Sequence, residues 1–111
     1  MSINSQSPFL LTKRLEADVN RLILGIDIAT LDAKEQQTLN LLKNTLVDAR
    51  LDIQDYELAE TRDFQLGNAA DAKRRLVIIQ EIISENSLHT FGPVDVAHLL
   101  AQIGQIVDRI R

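Results

Sequence analysis

The stretch Asp32 to Leu66, DAKEQQTLNLLKNTLVDARLDIQDYELAETRDFQL, decides how the chain is read. Within it Leu39, Leu42, Leu46, Ala49, Ile53 and Tyr56 recur three and four residues apart in alternation. That is the heptad spacing of a helix packed lengthwise against partners, and the stretch reads as one helix of about 35 residues. Asp32 with Glu35 three residues on forms an approximate capping box at its start. The seam would next call for Glu60 and Asp63, both charged, so the heptad line lapses there. Phe64 returns to nearly the same phase, which gives the last two turns a different packing from the rest.

Working outward from this helix, Ser7-Pro8 reads as an N-cap followed by proline at the first helical position. A first helix over about 9–26 follows, with Leu11, Leu15, Val19, Leu22 and Ile26 as its main stripe and Leu10, Ala17 and Leu24 as a weaker second line. On the other side, Gly67-Asn68 supplies a left-handed residue and an N-cap back to back, which predicts a tight hairpin into a third helix over about 69–86. Ala72, Leu76, Ile79 and Ile83 line that helix, and Val77, Ile78 and Ile82 widen its apolar surface. Gly92-Pro93 opens a fourth helix over about 93–110, whose apolar face runs from Val96 to Ile110. Ala97, Ala101 and Gly104 form a strip of small side chains beside that face, suited to close helix packing.

These patterns predict an all-α protein: a single domain over 1–111, folded as an antiparallel four-helix bundle with one unusually long second helix, about 32–66. At 1.5 Å per residue that helix would be roughly 50 Å long, about twice its neighbours. The composition agrees, with 45% hydrophobic residues, 25% charged and only 4% aromatic, so the core is built from Leu, Ile, Val and Ala. The polar stretch Met1 to Phe9 lacks the basic and apolar regions of a secretory signal, and no run approaches the ~20 apolar residues of a membrane span. A cytoplasmic protein, with no membrane contact, is the expectation.

Composition also removes chemistry. With no cysteine there is no thiolate nucleophile, disulfide or cysteine-based metal site. No serine lies in a nucleophile elbow, and no glycine-rich loop cradles phosphate. Asp48, Asp52 and Asp55 make an acidic line on the long helix, but without Glu-x-x-His pairs on facing helices a solvated face is the better reading. Asp95 and His98, with His89 in the preceding connection, read as surface residues in the same way. The expectation is therefore no enzyme, no metal and no cofactor.

Two sets of residues remain. Val47, Leu51 and Leu58 form a second apolar stripe well round the long helix from its heptad seam, a face for self-association or for a partner. Unless the first helix covers that stripe, it predicts a homo-oligomer, most simply a two-fold dimer. Lys73-Arg74-Arg75 is the only basic triplet, a candidate for phosphate contact; it fans out around its helix, and a net charge of −4 opposes nucleic-acid binding. The leading functional expectation is a non-enzymatic, self-associating interaction module that binds a protein partner as adaptor, chaperone or scaffold component. The alternative is a nucleic-acid-associated accessory protein in which oligomerisation aligns the basic residues.

Overall fold

The computed structural model describes residues 7–85 and 91–110. Four α-helices carry the fold: α1 (Pro8–Ile23), α2 (Ala33–Leu58), α3 (Arg62–Glu85) and α4 (Pro93–Arg109), with a single 3-10 turn, Ile28–Thr30, between the first two. There is no strand among the described residues. Asn86 and His89, expected in the third helix and in the connection before the fourth, lie outside the described residues.

The local signals at three helix starts act as expected. Ser7 Oγ accepts from the Leu10 amide at 3.1 Å, with Pro8 at the first helical position. Asp32 and Glu35 form a complete capping box: Asp32 Oδ1 accepts from the Glu35 amide at 2.8 Å and Glu35 Oε1 from the Asp32 amide at 3.0 Å. Gly92-Pro93 opens α4. The first helix stops at Ile23, short of the expected Ile26, because the Gly25 and Ile26 amides turn back to the carbonyls of Leu22 and Ile23. Ile26 still packs against the core from the connection.

The second helix is the longest of the four, but it ends at Leu58 and not near Leu66. Ala59 takes an extended conformation, and Thr61 starts the next helix, its Oγ1 accepting from the Phe64 amide at 3.3 Å and its carbonyl from the Gln65 amide at 3.0 Å. The expected hairpin at Gly67-Asn68 is therefore corrected, since both residues are helical and sit inside α3. The break falls where the heptad seam runs out of apolar residues. Continuing straight on would have carried Glu60 and Asp63 into the seam.

Side-chain pairs fix the direction of each helix. The Phe9 amide donates to Glu57 Oε2 at 2.6 Å and Arg50 Nε donates to Glu16 Oε1 at 2.8 Å, so α1 runs antiparallel to α2. Arg75 reaches back from α3 to Asp52 at 2.6 Å and Asp48 at 3.3 Å. Gln102 on α4 donates to Asp18 on α1 at 3.0 Å, while Leu11 and Arg14 share a cleft with Ala101 and Gln105, which makes that pair antiparallel as well. The helices close into an up-down-up-down ring in which α3 also packs on α4.

The register set by Arg75 explains the choice of core residues. With Arg75 level with the gap between Asp48 and Asp52, Tyr56 lies level with Ala69, Ile53 with Ala72, Ala49 with Leu76, Leu46 with Ile79 and Leu42 with Ile83. All ten are buried. Three of the five layers set a small residue against a large one, the interdigitation that lets two helices approach closely without voids. Leu15 and Val19 of α1 and Leu99, Ile103 and Ile106 of α4 complete a single cluster.

The helices do not match in length. Helix α2 spans about 39 Å and α1 about 24 Å. Glu57 meets the start of α1, and Tyr56 Oη donates to the Arg109 carbonyl at the end of α4, at 3.4 Å. Both outer helices therefore stop level with the end of α2. Between Tyr56 and Ala69 no residue is buried, so the turn and the first two turns of α3 project from the bundle.

Two substitutions test this arrangement. A Cβ on Gly67 would meet nothing within 4 Å, so Gly67→Ala is expected to stabilise by about 0.5–1 kcal/mol in urea unfolding; in a left-handed turn it would destabilise. Ala72→Leu places a second large residue in the Ile53 layer and is expected to cost about 1–3 kcal/mol in the same assay.

Candidate interaction surface

Helix α1 lies along the Arg50 and Glu57 side of α2. Leu51 is about 100° further round the helix, on the side facing away from the bundle. Accordingly the first helix does not cover the second stripe: Val47 is 38% exposed, Leu51 45% and Leu58 69%. The matching second lines of α1 and α3 are also open, with Leu10, Leu24, Val77 and Ile78 exposed. Isolated exposed leucines are common, whereas a line of them along one helix is informative.

At the projecting end the stripe runs into a second feature. Phe64, on the first turn of α3, is 69% exposed and stands across from Leu58. Together with Ala59, Thr61 and Asn68 they border an open depression of about 340 Å³, with Asp55 and Glu60 on its walls. Sequence reasoning passed over Phe64 because a straight helix to Leu66 returns it to the heptad side. The signal that could have found it was the Thr-Arg-Asp-Phe sequence at 61–64, an N-cap threonine with an acid in the first turn.

The charged candidates are mostly used within the fold. Of the acidic line, Asp52 and Asp48 bind Arg75 across the α2–α3 seam, so two of its three members are clamps and not a solvated face. The hydrogen bond that Arg75 donates to Asp52 outweighs the burial penalty and, with the charges of Asp52, Asp48 and Asp71, raises the Arg75 pKa above its ordinary value. A raised pKa means that this contribution is present below the unfolded value and lost only as pH climbs through the folded one, beyond the neutral range. Arg74 pairs with Asp71 one turn away. Of the triplet, Lys73 alone makes no ion pair among the described residues.

His98 does not pair with Asp95; its Nε2 lies 3.9 Å from Asp18 on α1, with the imidazole largely exposed. Asp18 also accepts from Gln102, and because a carboxylate only accepts, the Gln102 amide nitrogen must face it. That leaves Gln102 Oε1 buried without a protein donor, beside a cleft of about 330 Å³ lined by Leu11, Arg14, His98 and Gln105. Among the described residues no group of three or more His, Asp or Glu could hold a metal ion, and no helix is long and apolar enough to cross a membrane.

The strip Ala97, Ala101 and Gly104 is exposed, and a Cβ on Gly104 would meet nothing within 4 Å. Among the described residues no helix makes a close approach at Gly104. Ala101 instead lines the cleft against α1.

The division between used and unused charge is measurable. Arg75→Met is expected to lower stability by about 1 kcal/mol, because it leaves the half-buried Asp52 unpaired, whereas Arg74→Met stays within about 0.5 kcal/mol of wild type. Chemical denaturation of the two variants decides it, and equal losses would contradict the assignment.

No family model matches the chain, no curated protein matches it and no solved structure matches it.

Proposed function

We propose that this chain is a non-enzymatic interaction module of the cytoplasm: a helical bundle that pairs with a second copy through the outer face of α2 and presents apolar surface to a protein partner, as adaptor, chaperone or scaffold component. The observation that carries this reading is the exposure of Val47, Leu51 and Leu58 in line on one helix. A two-fold axis across α2 would set each stripe against its copy, removing from water the apolar surface that no helix of the chain covers. Of the acidic line and the basic triplet, which in another arrangement could hold a cation or contact phosphate, Asp48 and Asp52 are engaged by Arg75, and Arg74 by Asp71. The same ion pairs take from a nucleic-acid reading two of the three basic residues it needs.

Sedimentation velocity at tens of micromolar is expected to show a dimer. The double variant Val47→Glu with Leu51→Glu is expected to sediment as a monomer with unchanged helical circular dichroism, since both side chains already face water in one chain. A wild-type protein that is monomeric throughout, or a double variant that remains dimeric, contradicts the assigned face.

A further inference from the structure

The projecting end of the α2–α3 hairpin joins two features that the rest of the surface keeps apart. The first is apolar: Leu58 and Phe64 flank an open depression of about 340 Å³. The second is charge. From Asp55 to Leu66 the chain carries Asp55, Glu57, Glu60 and Asp63 against Arg62 alone, so most of the protein's net charge of −4 is gathered there. Arg62 offsets one of the four and makes no ion pair among the described residues; its guanidinium donates to the Gln65 side-chain carbonyl at 2.8 Å. Glu57 is held by the Phe9 amide. Asp55, Glu60 and Asp63 make no ion pair among the described residues, in contrast to Asp48, Asp52 and Asp71 a few turns away.

We propose that this tip is a docking site for a basic amphipathic segment of a partner protein, one large apolar side chain entering the depression between Leu58 and Phe64 while flanking Lys or Arg side chains meet Asp55, Glu60 and Asp63. Charge complementarity selects this occupant. A second copy of the chain would bring its own acidic tip to the same place, with like charges facing each other across an apolar contact. An anionic membrane surface is repelled for the same reason. The arrangement of an apolar anchor pocket with a charged rim is that of helix-in-groove recognition, in which the anchor supplies affinity and the rim sets encounter rate and partner choice.

The position of the site follows from the fold. Helices α1 and α4 end level with Glu57 and Tyr56, so no described residue of either helix covers the depression, and the turn at Ala59 to Thr61 holds Leu58 and Phe64 on two helix ends and not on a loop. The inference rests on reading the chain as an interaction module, but not on its self-association. Leu58 is the one residue common to both surfaces, and Phe64 and Asp63 belong to the tip alone.

The test uses the full chain and a fluorescein-labelled amphipathic helix of Leu and Lys, about 15 residues long, followed by fluorescence anisotropy. Saturable binding that weakens with added salt is expected. Phe64→Ser is expected to weaken it at least about tenfold, because it removes a wall of the depression against which the partner's apolar side chain packs. Glu60→Gln with Asp63→Asn, which keeps the apolar depression, is expected to weaken it about three- to tenfold at low salt and to flatten the salt dependence. Val94→Ser removes an even more exposed apolar side chain elsewhere and is expected to leave binding unchanged. The corresponding Leu and Glu peptide is expected not to bind.

Equal affinity for Phe64→Ser and Val94→Ser would overturn the proposal by reducing the interaction to general attraction between opposite charges. A change in the sedimentation of the peptide-free protein on Phe64→Ser would also overturn it, by showing that a second copy covers the tip. A protein that proves monomeric and still binds the Leu and Lys peptide through Phe64 would support the tip while removing the dimer.

Discussion

The structure depends on the register between α2 and α3. Five layers of buried residues, from Tyr56 with Ala69 to Leu42 with Ile83, hold the two helices together, and small residues stand opposite large ones in three of them. Arg75, bound to Asp52 and Asp48, fixes the same register from the outer edge of the seam. The burial of aliphatic side chains supplies the driving force; the ion pair adds a directional constraint, because Arg75 can sit between two carboxylates one turn apart in only one alignment. Helices α1 and α4 then close the open side of this pair with Leu15, Val19, Leu99, Ile103 and Ile106.

The unequal helix lengths turn this core into surfaces with different characters. Where four helices overlap, opposite charges from neighbouring elements meet: Arg50 with Glu16 and Arg75 with Asp48 and Asp52. Where the turn and the start of α3 project, no described residue forms an ion pair with Asp55, Glu60 or Asp63, and Leu58 and Phe64 are exposed. Along the outside of α2 the stripe Val47, Leu51 and Leu58 is open for a third reason, since a ring of four helices has no fifth to lay against it. The surplus of apolar surface that the composition foreshadows is thus divided between a face along one helix and a tip at its end.

Much of the fold was legible because it rests on local chemistry. The Ser7-Pro8 start, the Asp32 and Glu35 capping box and the Gly92-Pro93 start each satisfy free amide groups or use a preset backbone angle within a few residues, and the stripe of α4 and that of α1 as far as Val19 follow helical period alone, while at the end of α1 Ile23 is buried in place of Leu22. The apolar face of the candidate site was legible in the same way, since the phase of Val47, Leu51 and Leu58 is set by the helix that carries them. Phe64 was not, because its direction depends on which helix owns it. Nor was the fate of Asp48, Asp52 and Arg75, which meet only through the α2–α3 pairing.

The sequence alone determined that the chain is all helical, that four helices pack in an antiparallel ring and that α2 carries two apolar lines. Only the tertiary structure decided where α2 ends. Gly67-Asn68 and Ala59 to Thr61 both offer a helix stop and start, and their local preferences differ by no more than about 1 kcal/mol. A turn at Gly67-Asn68 would slide the helices past each other, setting Tyr56 level with Ile79 and Ile53 with Ile82, large against large, and drawing Arg75 away from Asp48 and Asp52. Several layers of packing depend on that one choice, and together they outweigh the glycine.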